Sequence, residues 1–170
     1  MVCECACHAR LGYPSSIMTP EHRLRELGLV LPEAPAPVAA YVPAVRTGDL
    51  VFVSGQLPFE NGELRACGRV PDVVDEATAT EAARIAALNA LAVLASQLDG
   101  ELANVEQIVR LGGFIQSEPG FGAQPAIANG ASELMQHVFG DKGRHARAAV
   151  GVIALPLNAA VEIELLARVR

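Results

Sequence analysis

The C-terminal end of the chain contains two stretches in which apolar side chains alternate with small or polar ones. Such alternation predicts β-strands that bury one face. The apolar members are Val150, Val152 and Ala154 in the first stretch and Val161, Ile163 and Leu165 in the second. An antiparallel pair that buries this set displays the remaining residues together on its other face, namely Arg147, Ala149, Gly151, Glu162 and Glu164. We expect this face to hold a carboxylate, because a guanidinium can bind one through two parallel hydrogen bonds. A solvated face with ordinary ion pairs is the alternative.

The overall composition restricts the class of protein. A chain of 170 residues is long enough for one domain with a sizeable core. Its residues are 51% hydrophobic but only 4% aromatic, so the core must consist of Ala, Val, Leu and Ile. The net charge of −6 argues against a nucleic-acid partner. The sequence offers no apolar run of the ~20 residues that cross a bilayer and no signal-peptide core. We therefore expect a cytoplasmic protein without a membrane partner.

The first 17 residues contain most of the cysteine residues of the chain. Three of the four cysteines lie within residues 3–7 and directly precede His8. Such a cluster could bind a soft metal, but Cys-x-Cys spacing alone cannot complete one tetrahedral site. We therefore expect residues 1–17 to be a disordered extension or a segment not native to the domain, and we expect no metal. Cys67 stands alone in a polar stretch and is interpreted as an incidental thiol.

A short helix offers a better start for the domain. Thr19 can cap it, Pro20 can occupy its first position, and Gly28 can end it. Leu24 and Leu27 would then lie on one side of this helix. The sequence thus predicts a single domain over residues 18–170.

The rest of the chain predicts alternating strands and helices after a Pro-rich lead-in over residues 31–37. The predicted elements are strands at 41–45 and 50–54 with a turn at 47–49, a tight turn at 61–62, a helix at 72–98 capped by Asp72, a strand at 108–116, a helix at 124–139, and the two terminal strands. This β-β-α-β-α-β-β order supplies helices for one face of a sheet only. The other face should meet another subunit.

Three segments of the sequence resemble the RidA (YjgF) family. They are Gly48-Asp-Leu-Val-Phe-Val-Ser-Gly-Gln-Leu-Pro58 with Tyr41 before it, Ala128-Asn-Gly-Ala-Ser-Glu133, and Arg147 followed by Leu155-Pro156 and Val161-Glu-Ile-Glu164. The match runs in order from about residue 37 to the end of the chain. The first and third segments together are more specific than either alone.

This resemblance implies both a fold and an activity. The fold is a chorismate-mutase-like α+β sheet with two helices on one face, assembled as a homotrimer with three ligand clefts between subunits. The implied activity is hydrolysis of reactive enamines and imines of the 2-aminoacrylate type to 2-oxo acids and ammonia. The implied partner is a small-molecule carboxylate, and no metal or organic cofactor is required.

The resemblance also assigns roles to individual residues. Arg147 matches the arginine that binds the substrate carboxylate, and Glu162 matches the acid that positions or activates water. Tyr41, Ser54 and Asn129 match residues that line the cleft. From the residues alone, Tyr41 could be only an edge-strand aromatic, Ser54 only a strand-end hydroxyl, and Asn129 only a brace for the second helix.

Several positions depart from the familiar family pattern. Ala149 stands where familiar members have a cysteine, and Ala40 stands where they have a proline. The loop at 117–125 and the N-terminal helix also exceed the shortest members. These departures resemble a longer RidA-like subgroup whose substrate the sequence does not name. A non-catalytic oxo-acid binder or regulator therefore stays open as an alternative function, and a ribonuclease ranks last.

The register of the terminal strands predicts how the arginine and the acid relate. A short turn near residue 157 favours pairing Gly151 with Glu162 and Ala149 with Glu164. Arg147 then lies roughly 13 Å from Glu162 along the sheet, at the usual rise per strand residue. We therefore expect no ion pair between them within one chain. They should act separately or meet across a subunit boundary.

Overall fold

The computed structural model describes residues 18–34 and 40–170 of the chain. The predicted extension at 1–17 and part of the Pro-rich lead-in lie outside the described residues. The helices and strands are α1 (Pro20–Glu26), β1 (Ala44–Thr47), β2 (Leu50–Gln56), β3 (Phe59–Glu60), β4 (Glu63–Leu64), α2 (Glu76–Ser96), β5 (Val105–Gln116), α3 (Gln124–Ile127), α4 (Asn129–Phe139), β6 (Ala146–Val152) and β7 (Val161–Val169). The result is a mixed α+β fold, as predicted.

The first helix begins and ends where the sequence predicts. The Thr19 hydroxyl accepts a hydrogen bond from the backbone N–H of His22 at 3.3 Å, and Pro20 is the first helical residue. Gly28 follows the helix with a φ of +69°, which favours glycine. Leu24 is buried, but Leu27, expected beside it, is 42% exposed.

Both predicted tight turns are confirmed. Thr47 pairs with Leu50 across the first hairpin, which leaves two residues in the turn. The second turn joins β3 to β4 through Asn61 and Gly62, whose φ values are +53° and +80°. Two consecutive positive φ angles are typical of the type I′ turn that Asn-Gly favours.

The main sheet has five strands in the order β1-β2-β7-β5-β6. Neighbouring strands are antiparallel except for β5 and β6, which are parallel. The last strand of the chain, β7, therefore lies at the centre of the sheet, and β6 lies at one edge.

The two terminal strands do not form the predicted hairpin, because β5 lies between them. The helical segment between β5 and β6 is a crossover connection, which makes those two strands parallel. A 3₁₀ turn at Pro156–Asn158, rather than a tight hairpin turn, follows β6 and carries the chain over to β7. The predicted pairs Gly151–Glu162 and Ala149–Glu164 are therefore wrong.

Arg147 and Glu162 lie on opposite faces of the sheet, contrary to the predicted shared polar face. Arg147 on β6 is the Cα partner of Leu111 on β5, and Leu111 is the Cα partner of Leu165 on β7. Both leucines are buried in the core, on the helix-covered side of the sheet. Glu162 is the Cα partner of Phe114, which lies three positions after Leu111 on β5 and therefore points to the opposite face. Because successive side chains point to opposite faces, Arg147 lies on the helix-covered face and Glu162 on the open one.

The apolar set predicted for the first terminal strand is not buried. Val150 is 45% exposed, Val152 is half-buried, and Ala154 is exposed beyond the end of β6. Val150 is the Cα partner of Phe114, which also pairs with Glu162, so this set faces the open side of the sheet and receives no cover from the helices. The corresponding set on the central strand β7 is fully buried, as predicted, and comprises Val161, Ile163 and Leu165.

The long helix α2 covers the sheet and is capped three residues later than expected. Asp75, not Asp72, accepts a hydrogen bond from the N–H of Thr78 at 2.8 Å, and this bond lowers the pKa of the Asp75 carboxyl. Asp72 instead pairs with Arg69 at 3.3 Å. The many buried alanines of α2 let its axis approach the sheet closely.

The expectation that no segment could cross a membrane is too strict. α2 has 21 residues and a mean hydropathy of 1.2, enough by length and composition to span a bilayer. However, 61% of its most apolar window is buried inside the fold. That burial is what the central helix of a packed core requires, so its hydropathy is weak evidence for a membrane.

The predicted helix at 124–139 is broken at Ala128 into α3 and α4. Its predicted buried side is confirmed, since Ile127, Leu134, Met135 and Val138 are all buried. A Cβ atom on Gly130 would lie 2.0 Å from the backbone oxygen of Thr80. α4 therefore crosses α2 at a contact that admits only glycine, and this contact places the first turn of α4 beside β6.

The face of the sheet opposite the helices carries exposed apolar side chains. Val45 is 53% exposed and Phe52 is 47% exposed, and they are Cα partners on neighbouring strands. Glu164 lies on the same face and pairs with Arg110 at 3.2 Å. This mixed apolar and charged surface is the face that the sequence predicts to meet another subunit.

Candidate functional site

Arg147 is held by three acceptors from the segment that precedes it. Its Nη1 donates to Asn129 Oδ1 at 2.9 Å and to Ser132 Oγ at 3.0 Å, and its Nη2 donates to the Pro125 carbonyl at 3.0 Å. The crossover from β5 to β6 delivers all three acceptors, because α3 and α4 pack beside the edge strand. The guanidinium is therefore fixed in place by neutral oxygens.

The guanidinium keeps two donors for a ligand. Of its five N–H groups, both on Nη1 and one on Nη2 are used, which leaves Nε–H and one Nη2–H without an acceptor among the described residues. Arg147 also forms no ion pair with a carboxylate in the described part of the chain. An uncompensated cation with two adjacent donors can bind a carboxylate in the bidentate manner.

A hydroxyl and an imidazole complete the surroundings of the arginine. Ser132 Oγ lies 3.0 Å from His145 Nε2, and His145 Nδ1 lies 2.6 Å from the Gly143 carbonyl. Ser132 is only 7% exposed, yet it contacts both the imidazole and the guanidinium. Neither Ser132 nor His145 was predicted from the sequence as a site residue.

These side chains line one cleft of about 310 Å³, open to solvent. Its lining comprises Asn129, Ser132, Gln136, Arg144, His145 and Arg147. Arg144 is largely exposed and lies 3.6 Å from the carboxylate of Asp141. The cleft is thus positively charged near β6 and has neutral hydrogen-bonding groups on α4. Such a lining suits a small anion.

Glu162 lies on the opposite face, in a space that Gly55 leaves open, and Gly112 leaves a similar space for Glu164. A Cβ atom on Gly55 would lie 1.7 Å from Glu162 Oε1, and one on Gly112 would lie 2.5 Å from Glu164 Oε1. Burial, and secondarily the charge of Glu164, raises the pKa of the Glu162 carboxyl. A carboxyl with a raised pKa is better suited to accept and return a proton near neutral pH.

The other two predicted site residues lie apart from the arginine. Ser54 donates its hydroxyl to the Pro43 carbonyl at 3.0 Å, and the same carbonyl accepts the Ser54 N–H. Tyr41 precedes β1 and is 48% exposed. Within one chain the structure therefore brings together Arg147 and Asn129, but not Tyr41, Ser54 or Glu162.

The sequence did contain signals for the missed residues. Ser132 follows Asn129 by three positions, the spacing that places two side chains on one side of a helix. His145 precedes Arg147 by two positions, the spacing that places two side chains on one face of a strand. These spacings indicate a shared site only when α4 is known to lie beside β6, because Ser132 and His145 belong to different parts of the chain.

The residues that the structure describes do not form a recognisable metal-binding site. Within 18–34 and 40–170, no group of three or more His, Cys, Asp or Glu side chains is arranged to hold an ion. The candidate chemistry of the cleft is therefore carried by its hydrogen-bonding and charged side chains. The Cys3, Cys5 and Cys7 cluster lies outside the described residues.

Residues 21–169 match the model of the family described as "YjgF/chorismate mutase-like, putative endoribonuclease". The chain belongs to this family. It is a RidA (YjgF) protein, as its three sequence segments indicated. The chorismate-mutase-like relationship also agrees with its mixed sheet covered by helices on one face.

Similar proteins extend this RidA relationship. Protein TCP17 from Trypanosoma cruzi is 42% identical over 84% of this chain and 89% of its own length. A 2-iminobutanoate/2-iminopropanoate deaminase from Dermatophagoides farinae is 31% identical over 78% and 88%, respectively. A crystal structure of a protein of unknown function from Agrobacterium tumefaciens has a TM-score of 0.84 and 45% identity, covering 89% of this chain and 92% of that one.

Proposed function

We propose that this RidA protein hydrolyses reactive enamines and imines of the 2-aminoacrylate type to 2-oxo acids and ammonia. The observation that carries the proposal is the orientation of Arg147, which is fixed by three neutral acceptors and keeps two N–H groups for a ligand. The deaminase relative supports the same substrate class at the level of the family.

The arginine supplies binding and orientation. Each charge-assisted hydrogen bond to a substrate carboxylate contributes about 1.5–3 kcal/mol. Holding the carboxylate at the guanidinium places the adjacent C=N carbon over the cleft. The imine carbon is already electrophilic, so the site needs only to position a water molecule and transfer protons.

The carboxyl of Glu162 is proposed to position that water from a neighbouring subunit. Within one chain, Glu162 and Arg147 lie on opposite faces of the sheet, so one chain does not join them. The exposed apolar residues of the open face, including Val45 and Phe52, support an assembly that covers this face. We propose a homotrimer in which Glu162, Tyr41 and Ser54 of one subunit complete the cleft of another.

The activity is tested with substrate made in the assay. 2-Aminoacrylate and its longer homologue are generated freshly by a pyridoxal-phosphate-dependent lyase, and 2-oxo acid formation is recorded against the spontaneous rate. Wild-type protein should accelerate the reaction and Arg147→Ala should not. The Arg25→Ala variant is a matched control and should keep the wild-type rate, because it removes an exposed guanidinium of α1 that does not line the cleft. Equal rates with and without wild-type protein would contradict the proposed activity.

The assembly is tested by light scattering of the purified protein. A trimer mass is expected at micromolar concentration, and a stable monomer would contradict it. Each subunit would then contribute an arginine to one cleft and an acid to the next.

A second candidate function is binding of a 2-oxo acid without turnover. It is favoured by one observation, namely that the cleft of a single chain contains the complete carboxylate anchor but not Glu162. Calorimetry with 2-oxobutanoate separates the two candidates. Binding that depends on Arg147, without any acceleration of deamination, would favour the binder over the enzyme.

A further inference from the structure

The Ser132–His145 pair is not assigned by the match to the RidA sequence pattern, which carried over only Arg147, Glu162, Tyr41, Ser54 and Asn129. It lies inside the cleft and touches the guanidinium that the proposed function uses.

The hydrogen bonds fix the direction of donation. A carbonyl oxygen only accepts, so His145 Nδ1 must donate its hydrogen to the Gly143 carbonyl. In the neutral ring, Nε2 is then an acceptor. Ser132 Oγ, which lies 3.0 Å from Nε2, therefore donates its hydroxyl hydrogen to the imidazole.

The acceptor for the imidazole is itself held rigidly. Gly143 is buried, and a Cβ atom there would lie 2.1 Å from the Met135 carbonyl at the end of α4. The turn that contains Gly143 can approach α4 so closely only because it has no side chain. The carbonyl that orients His145 is thus part of the helix packing rather than of a free loop.

Ser132 connects the imidazole to the arginine. Its oxygen accepts from Arg147 Nη1 at 3.0 Å while its hydrogen is donated to His145. A hydroxyl that accepts from a cation becomes a better proton donor. The oxygen keeps one further lone pair, which can accept a hydrogen bond from a water molecule in the cleft.

We propose that Ser132 and His145 form a proton relay for the ligand held by Arg147. This inference rests on the proposed function. It places the proton-transfer groups in the same chain as the carboxylate anchor and leaves Glu162 to position water.

The relay would transfer the protons of the reaction in two steps, addition of water and release of ammonia. Water oxygen bonds to the imine carbon while its proton passes to Ser132 Oγ, the serine proton passes to His145 Nε2, and the C=N π electrons move to nitrogen. The same relay then protonates that nitrogen and returns to its neutral form. In the second step it takes the proton from the new hydroxyl as C=O forms, and gives it to nitrogen as the C–N bond breaks and ammonia leaves.

The inference is tested by steady-state kinetics of His145→Gln, Ser132→Ala and the double variant, with 2-aminoacrylate as substrate. General acid–base groups contribute about 10²–10⁴-fold in rate. Each single variant should therefore lower kcat by about 100-fold or more. In His145→Gln, which leaves all three acceptors of Arg147 intact, KM should change by less than about threefold. The double variant should be no more than about threefold slower than either single variant, because the two residues act as one unit.

Two further measurements separate a relay from a structural role. 2-Oxobutanoate should bind His145→Gln by calorimetry as tightly as it binds wild type, since Arg147 is intact. His137 lies on the exposed side of α4 and does not line the cleft. The variant His137→Gln should therefore keep the wild-type kcat.

The outcomes distinguish this inference from the function on which it rests. Turnover by wild type together with a kcat within about threefold in His145→Gln overturns the relay and leaves the deaminase proposal standing. A loss of product binding in His145→Gln, in parallel with activity, overturns the relay in favour of a structural brace. A wild type without turnover overturns both.

Discussion

Gly55 makes room for the Glu162 carboxylate, and replacing it should displace that carboxylate without unfolding the protein. In Gly55→Ala the new Cβ atom would lie 1.7 Å from Glu162 Oε1 and 2.6 Å from its carboxyl carbon. Since ordinary contacts begin at 3.4 Å, the oxygen must withdraw by roughly 1.7 Å. The Cγ atom of Glu162 would also lie only 2.9 Å away, so the side chain must turn from its base, and a torsion held about 30° from a rotamer costs roughly 0.5–1.5 kcal/mol.

The catalytic consequence of Gly55→Ala should be much larger than its effect on stability. A misplacement of about 1 Å in a positioned group can cost about 100-fold in rate, which corresponds to about 2.7 kcal/mol in the barrier. We therefore expect kcat/KM for 2-aminoacrylate to fall about 100-fold while the melting temperature changes by only a few degrees. The measurement combines the 2-oxo acid assay with thermal melting.

A second glycine provides the control for this experiment. A Cβ atom on Gly122 would meet nothing within 4 Å, and its φ is not in the left-handed region. Gly122→Ala should therefore retain wild-type activity. If Gly55→Ala also turns over at the wild-type rate, while a crystal structure shows the carboxylate displaced, then the position of Glu162 does not matter for the reaction.

Four further variants test the remaining parts of the structure. Arg147→Lys should keep the fold but lose most deaminase activity and oxo-acid binding, because a point charge lacks the two-pronged geometry; near-normal activity would make Arg147 a structural cation. Glu162→Gln should lower turnover far more than ligand affinity, whereas Arg147→Ala should damage both. Burial raises the pKa of the Glu162 carboxyl, so its charged form disfavours the folded state. Glu162→Gln should therefore raise the melting temperature at pH 7, and this gain should vanish below about pH 4, where the carboxyl is protonated in both states. Gly130→Ala drives a methyl group to 2.0 Å from the Thr80 carbonyl and should destabilise the fold by at least about 2 kcal/mol in denaturant unfolding; an unchanged midpoint would contradict the close crossing of α2 and α4. Deleting residues 1–17 should leave melting temperature and oligomer size unchanged, and a loss of several degrees would show that they belong to the domain.

Local patterns predicted most of the elements. The Asn61-Gly62 turn, the Thr19 cap and the buried side of α4 were identified correctly, because each depends on residues a few positions apart. The position of the α2 cap was wrong by three residues because Asp72 and Asp75 are equally good caps by type. Only the contact between Thr78 and Asp75 distinguishes them.

The order of strands could not be obtained in this way. Adjacent strands in the sequence were assumed to be adjacent in the sheet, and β5 was not expected to come between β6 and β7. A related error was to take Val150, Val152 and Ala154 as the buried side of their strand, which placed Arg147 on the open face with Glu162 instead of on the helix-covered face. The cleft was missed for the same reason, since Ser132 and His145 meet only through the crossover that places α4 beside the edge strand.

The opposite placement of Arg147 and Glu162 has a genetic consequence if the clefts form between subunits as proposed. Arg147→Ala and Glu162→Gln would each be inactive alone, yet each chain would still carry the half that the other has lost. When the two variants are unfolded together and reassembled in equal amounts, roughly one cleft in four should combine an intact arginine with an intact acid. Mixing two inactive variants is therefore expected to restore part of the deaminase activity, and the restored activity should depend on the ratio in which the variants are mixed.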